Sequence, residues 1–440
     1  MKNFMRKNGI QFAVTSLIGI LMFFIPIYHG KIPVVILINA INQMLGTRVE
    51  WVSAISCILL MLGIFGAKVL KVRSLGKQFQ NQGIRCIFWM ASGVIVFLKL
   101  FDVQLPFMLH PQIGGTILKL GSTVFVTIAV AGTLVCFIIE SGIVEFVSVL
   151  MEPIMKPVFH LPGEAAVNII SSFVSSASVG VYFTEQYYLK KRYTRRQACA
   201  VVTSFSVVSV GYIGIIASLA GVPEMYGPLL VSSFLLVLVM GAIMIRIPPL
   251  SLISDRCIDG SREEEIRAVG IETTDEVSRI RQAWEAGLQR SRGFTVRLFW
   301  EKSVQALQFA QKIVGVMIPT VMIVLVLVYY TPIFTWLGMP LVPVIRLLGI
   351  PDAALAAPSV LIGIVEVSLP SILIGGSAAA AEARFFVALL SIVQIIFFSE
   401  AGNAIMGSEI PLGPGKLIAI FLMRTAIALP LVALVTHILY

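Results

Sequence analysis

Charge is scarce in this chain. Asp, Glu, Lys and Arg make up 13% of its 440 residues, about half the share of an ordinary soluble protein. Apolar residues reach 58% and the mean hydropathy is +0.93, more apolar surface than a water-soluble fold can hide. Two or three soluble domains are thereby excluded, and the solvent is lipid. Metal and disulfide patterns are missing too. Cys57, Cys86, Cys136, Cys199 and Cys257 stand singly with no CxxC, which gives neither a disulfide framework nor a thiolate metal site. His29, His110, His160 and His437 are isolated, with no HExxH, so no metal site is expected. GxSxG and GxxxxGK[ST] are absent, so neither a serine hydrolase nor a nucleotide-driven pump is expected. The chain is not read as an enzyme, and no cofactor is expected.

What is present is a series of uncharged runs, each near the roughly 20 residues that a membrane helix needs. Residues 8–30, 51–67, 120–139, 197–223, 225–245, 313–345, 385–399 and 425–440 contain no Asp, Glu, Lys or Arg. The first run is long enough to stay in the membrane, which argues against a cleavable signal peptide. The run 86–98 ends at Lys99, which can snorkel. The segment 31–48 lies flat or dips in. Two further runs, 163–189 and 353–381, contain acidic residues, Ser, Pro or Gly and read as interrupted helices. The net charge of +10 fits cytoplasmic loops rich in Lys and Arg, not nucleic-acid binding. Basic clusters at Lys2, Arg6 and Lys7, at Lys68 to Arg85, and at Lys190 to Arg196 fall on that side. The polar stretch 246–302 carries ten basic and ten acidic residues and joins them by position. Within it Thr273 and Glu276 form a capping-box pattern, followed by an apolar stripe of Val277, Ile280, Trp284 and Leu288 and a stop at Gly293. This helix rests on the other loops or the membrane, or docks a partner or regulator.

The chain also repeats itself at an offset of roughly 187–189 residues. Met151-Glu-Pro-Ile-Met-Lys156 and Leu161-Pro-Gly-Glu-Ala-Ala166 correspond to Leu341-Val-Pro-Val-Ile-Arg346 and Ile350-Pro-Asp-Ala-Ala354. The Ser-rich run 171–180 corresponds to the Gly/Pro/Ser run 365–376, and Gly221-Val-Pro-Glu-Met-Tyr-Gly-Pro228 to Gly407-Ser-Glu-Ile-Pro-Leu-Gly-Pro414. Counting spans from the basic clusters gives the two copies opposite directions. Inverted repeats with broken helices describe secondary transporters, with substrate held between the copies. The expectation is an all-α polytopic membrane protein with an inverted repeat, two broken-helix hairpins and about nine or more spans.

Pro162-Gly-Glu-Ala-Ala166, Tyr182-Phe-Thr-Glu-Gln-Tyr-Tyr188 and Arg195-Arg-Gln-Ala-Cys199 resemble the nucleoside-recognition Gate domain. The whole chain resembles the YjiH-like bacterial inner-membrane proteins. That resemblance implies an integral-membrane transporter or gate in the bacterial inner membrane, without implying nucleosides, because relatives with this domain handle different cargo. The implied organisation is an N-terminal membrane region over 1–119, a first Gate repeat over 120–246, a cytoplasmic polar loop over 247–302 and a second Gate repeat over 303–440. The expected function is a secondary transporter or permease for a small polar metabolite, nucleoside-like, amino-acid-like or peptide-like. The alternative is a non-transporting Gate-domain subunit that gates or scaffolds a partner. Besides lipid, the expected partners are the small-molecule substrate and a second Gate-domain protein or a second copy.

Candidate substrate-binding residues follow from polarity inside apolar runs. Glu366 stands alone in an uncharged stretch, where an ionisable group faces a cavity or a partner. The competing reading is a structural pair. Ser175, Ser176 and Ser178, with Ser171 and Ser172, either line a cavity or allow close helix packing. The repeat offset maps this serine run onto 364–367 and so suggests that Glu366 lies beside it. Asn168, Ser368, Ser371 and Glu185 complete the set, with Gln394, Glu400 and Asn403 behind them. Thr184, Glu185 and Gln186 are also readable as a helix-end salt-bridge cluster, and Glu140 and Glu145 as solvated interfacial acids.

Overall fold

A computed structural model describes residues 2–25, 27, 32–68, 83–101, 103, 111–261 and 276–440, helical throughout their regular structure and without a strand. Among the described residues five helices are long and apolar enough to cross a bilayer: Val49–Ala67, Gly121–Ile139, Pro223–Met244, Val296–Leu327 and Pro414–Leu439. A bent pair, Arg195–Phe205 with Val210–Leu219, makes six. Shorter apolar helices span Gly9–Phe23, Pro33–Leu45 and Ala353–Ile362. The expected nine or more spans rest on counting such shorter and interrupted helices as crossings.

In chain order, α1 (Lys2–Phe24), α2 (Pro33–Leu45), α3 (Val49–Lys68), α4 (Gly83–Leu100) and α5 (Pro111–Leu134) come first. Two connecting helices follow, α6 (Cys136–Ile139) and α7 (Ile143–Phe159). Next is a set of five, α8 (Glu164–Val174), α9 (Ala177–Leu189), α10 (Arg195–Phe205), α11 (Val210–Leu219) and α12 (Tyr226–Met244). Then come α13 (Glu276–Ser291), the long α14 (Val296–Tyr330), α15 (Ile333–Gly338) and α16 (Leu341–Leu347). A second set of five closes the chain: α17 (Ala353–Ile362), α18 (Leu369–Gly375), α19 (Ala381–Gln394), α20 (Ala401–Gly407) and α21 (Pro414–Leu439). Helices α3, α4 and α5 pack on α14, and the two sets of five form the main buried core.

The sets share one order: two half-helices, two more half-helices, one continuous helix. Residues 163–189 and 353–381 are interrupted, at Ser175–Ser176 and over 363–368. Two breaks were not expected. The run 197–223 bends by 44° between α10 and α11, and the run 385–399 stops at Gln394 before α20 begins at Ala401. The local causes differ. Ser176 and Ser209 are extended N-caps whose hydroxyls accept from Val179 N and Tyr212 N at 3.4 Å each, a role serine takes at the expense of helix interior. Pro370 opens α18 in the first turn. Ile395 has φ 64°, a left-handed conformation that a β-branched residue adopts only under strong tertiary constraint.

The sets meet crosswise: α9 packs on α20, and α11 packs on α18. Gly375 in α18 lies so close to α11 that a Cβ there would sit 2.0 Å from the Leu219 carbonyl oxygen. One further contact joins the sets beside it, and three more hold the second set together. Gly221 approaches Arg384, Asp352 accepts from Ala380 N at 2.8 Å, and His437 bonds the Leu348 carbonyl at 2.7 Å and pairs with Glu382 at 3.3 Å. The turn after α20 instead meets α9, where Glu185 accepts from Glu409 N at 2.8 Å.

The polar stretch forms the expected helix, described from Glu276 and ending at Ser291 with Gly293 in the turn that follows; Thr273 lies outside the described residues. The face it buries differs from the expected stripe. Its buried face is Ala283, Gly287 and Ser291, whereas Ile280 and Trp284 are 57% and 46% exposed. Small residues face inward because Gly142, with φ 97°, leaves only 2.1 Å between an added Cβ and the Gly287 carbonyl oxygen.

Gly375→Ala is expected to cost about 1–3 kcal/mol, because backbone must move to admit the methyl. Gly376→Ala serves as control, since its Cβ would meet nothing closer than 3.4 Å. Thermal unfolding in detergent checks the difference: equal melting temperatures for the two variants would contradict the close crossing.

Candidate functional site

All four breaks contribute to one polar cluster. In the first set, Ser178 stands at the start of α9 and Tyr212 at the start of α11. In the second, Glu366 lies in the break before α18 and Glu400 in the break before α20. Glu400 Oε1 accepts from the Ser178 amide at 3.0 Å and from its hydroxyl at 2.7 Å. Glu366 Oε1 accepts from the Tyr212 hydroxyl at 3.2 Å. Its Oε2 accepts from Ser368 N at 2.6 Å, from Leu369 N at 3.1 Å and from the Ser368 hydroxyl. The two second-set breaks are tied by backbone bonds, Phe398 N to the Ile364 carbonyl at 2.7 Å and Ser399 N to the Val365 carbonyl at 2.8 Å.

The contacts fall at matching sequence offsets. An offset of about 188 residues places Ser178 on Glu366 and Tyr212 on Glu400. Hydroxyl and carboxylate thus change places between the copies, and each carboxylate bonds across to the other set. This corrects the expectation that Glu366 sits on the serine run: the carboxylate there is Glu400. Both carboxylates lie at half-helix N-termini, where exposed amides and the helix dipole favour an anion.

Arg424 supplies the opposite sign. Its side chain is fully buried in α21, with Nε donating to the Val393 carbonyl at 2.6 Å and Nη1 to the Thr203 carbonyl at 3.5 Å. Those carbonyls belong to the last turns of α19 and α10, the negative ends of equivalent half-helices. Nη2 has no hydrogen-bond partner, and no carboxylate pairs with Arg424 among the described residues. The sequence reading does not single out Arg424, because the uncharged run begins just after it, at residue 425. A single Arg in the otherwise apolar stretch 417–440 was the available signal.

The remaining candidates divide. Ser368 joins the cluster through Glu366, and Ser176 lies 3.1 Å from Ser178, hydroxyl to hydroxyl. Ser175 bonds back to the Ser171 carbonyl at 2.7 Å, which closes its own helix end. Ser371 is buried with no partner for its hydroxyl. Asn168 donates to the Thr184 hydroxyl at 2.6 Å and so joins the arms of the first hairpin. Glu185 bonds the turn at Glu409, and Gln186 accepts from Lys302 Nζ at 3.1 Å; the expected salt-bridge cluster of these neighbours is not formed. Gln394 donates to the Val360 carbonyl at 2.8 Å and to the Thr425 hydroxyl at 2.9 Å, and Asn403 donates to the Phe398 carbonyl. Glu140 and Glu145 are not solvated acids but buried members of ion pairs.

The cluster has the ingredients of a binding site inside an apolar scaffold. Glu366, Glu400, Tyr212 and Ser176 are half-buried, not sealed, and Gly211 beside them is exposed. Each break follows 10 to 14 residues of helix, a rise of roughly 15–21 Å, against a hydrocarbon core of about 30 Å. No group of three metal-ligating side chains occurs among the described residues.

Residues 122–223 match the Gate family, described as nucleoside recognition. The match ends with the first set of half-helices, and the second set repeats their order outside it. An uncharacterized protein of Alkalihalophilus pseudofirmus is 29% identical over 451 residues, covering 98% of this chain and 95% of that protein. The chain is thus an all-helical, multi-pass membrane protein. It carries a Gate domain over the matched residues.

Glu400→Ala strips both bonds from Ser178, leaving its buried amide unpaired and its hydroxyl with Ser176 alone, at an expected cost of about 1–3 kcal/mol. Glu400→Gln keeps an acceptor oxygen and is expected to stay within roughly 1 kcal/mol of the parent. Melting temperatures in detergent rank the three proteins; an alanine variant as stable as the parent would show that the carboxylate does not hold the break.

Proposed function

We propose that this protein is a secondary transporter or permease for a small polar metabolite in the bacterial inner membrane. The observation that carries the reading is the meeting of four helix breaks at the Glu400–Ser178 and Glu366–Tyr212 contacts. Irregular backbone at membrane depth persists only where protein or a water-lined cavity satisfies it, and half-helix ends facing a central site are how transporters bind polar cargo. The Gate match supports a transporter-type role over an enzymatic one and puts nucleoside-like cargo first, ahead of amino-acid-like or peptide-like cargo. The basic cluster at Lys190 to Arg196 belongs on the cytoplasmic side by the positive-inside rule, together with 251–302. The contacts of Gly221 with Arg384 and of Glu185 with Glu409 support opposite directions for the two sets.

In this reading Glu366 and Glu400 receive hydroxyl or ammonium donors of the cargo, or an exchangeable proton, while Ser176, Ser178, Ser368 and Tyr212 orient it. Glu366→Gln preserves shape and removes charge. Uptake into proteoliposomes from a panel of nucleosides, amino acids and short peptides, with and without Na⁺ or pH gradients, tests the proposal. The variant is expected to lose about tenfold or more of the uptake, or its pH dependence, with the melting temperature little changed. Unchanged uptake and pH response would make Glu366 structural. A folded parent protein that moves none of the panel would favour the non-transporting Gate-subunit reading.

Orientation has its own test. Single cysteines placed at 221–228 are expected to react with impermeant maleimide from outside only, and those at 190–196 from the cytoplasm only; the reverse pattern would overturn the assignment.

A further inference from the structure

The cytoplasmic end of the first hairpin is held in a buried ionic cluster that also grips the polar loop. Arg290, in the last turn of α13, pairs with Glu140 and lies 3.6 Å from Glu145. Lys190, just past the end of α9, pairs with Glu140 at 2.5 Å. Arg192 pairs with Glu145 at 2.9 Å and with Glu164, at the start of α8, at 3.1 Å. Three acids and three bases therefore join α13 to both ends of the hairpin. The acids are nearly inaccessible, at 5%, 10% and 12% side-chain exposure, so removing one partner strands a buried charge.

Geometry adds to charge. The backbones of Gly142 and Gly287 touch, Phe12 meets Trp284 edge to face at 5.1 Å, and Gln11 donates to the Ser291 and Phe294 carbonyls at 3.0 and 2.9 Å. A small cavity borders the cluster at Glu140 and is lined also by Cys136, Tyr182, Gln186 and Lys302, among others. It touches the ionic cluster through Glu140 and the hairpin through Tyr182 and Gln186. Elsewhere the loop helix is exposed at Ile280 and Trp284 and carries the surface pair Arg281–Glu285.

We propose that the Glu276–Ser291 helix is the inner gate of this protein: an ionic latch, fastened by Arg290, that closes the cytoplasmic path to the first hairpin. The proposal rests on the transporter reading. Opening separates Arg290 from Glu140 and Glu145 and lifts α13 off Gly142, which hydrates the cavity and frees the hairpin end.

Cys136 lines the cavity and is 3% exposed, so it reports opening without any transport. In a protein whose other four cysteines are replaced by alanine, maleimide added at the cytoplasmic face is expected to label Cys136 slowly. Arg290→Gln is expected to raise the rate at least tenfold, and Arg281→Gln to leave it unchanged. Equal rates for Arg290→Gln and its parent would overturn the latch. Should Arg290→Gln fail to fold, Phe12→Cys with Trp284→Cys decides the matter. Oxidation to a disulfide ties α13 down and is expected to abolish Cys136 labelling, with recovery on reduction. Labelling at the parental rate in the tied protein would overturn the latch. The tied protein is also expected to stop uptake; continued uptake would refute the gate and leave the transporter reading intact. A reduced protein that transports nothing counts against the transporter reading alone, because the labelling result still stands.

Discussion

Every break in a membrane-embedded helix frees backbone amides and carbonyls, and satisfying them is the constraint on which this architecture depends. In an apolar medium each unpaired group costs several kcal/mol, more than any single packing contact returns. Four breaks meet here, and their ends are satisfied by serine caps, by Glu366 and Glu400, by the 364–398 and 365–399 backbone bonds, and by Arg424. The signs are consistent. Carboxylates stand at positive N-termini and the guanidinium at negative C-termini, each helix end contributing about half a charge. A buried Arg without a carboxylate would be costly alone, but two carbonyl ends share its charge. With those partners fixed, α9 has to lie on α20 and α11 on α18.

The two cross-set contacts are equivalent in position and unequal in strength. Glu400 holds Ser178 through amide and hydroxyl, whereas Glu366 holds Tyr212 by one longer bond and spends the rest of its acceptors on its own half-helix. On the proposed reading the single Glu366–Tyr212 bond is the one that parts more readily when the cluster admits cargo.

Much of this was legible in the sequence, for reasons that particular residues show. Apolar runs located the membrane helices because lipid exposure demands them. The breaks at 175–176 and 363–368 were visible because serine, glycine, proline and a lone acid disturb the run. Those at 206–209 and 395–400 were not. Ile395-Ile-Phe-Phe398 contains no breaker, and the left-handed φ of Ile395 is imposed by the packing around it. Offset arithmetic placed Glu366 on the serine run because it finds equivalent positions; the partner of Ser178 is instead the equivalent of Tyr212, across the interface. The stripe on α13 misled for a related reason. Apolar bulk predicts burial where there is room, but the Gly142–Gly287 approach admits only small residues, which puts Ala283 inside and Ile280 outside.

Helix α9 links the central cluster to the ionic cluster around Glu140 and Glu145. Ser178 near its first residue is bonded to Glu400, and Lys190 immediately after its last is bonded to Glu140. Thirteen residues of helix span about 20 Å and move as a rod, because their backbone bonds are internal. Asn168 fastens this rod to α8 through Thr184, and Glu164 at the start of α8 shares Arg192 with Glu145. The hairpin therefore cannot shift at its tip without loading the ion pairs at its base. On the proposed transporter reading, cargo that competes for Glu400 loads Lys190 and Arg192, and through Glu140 and Glu145 also Arg290, because α9 is held by charge at both of its ends.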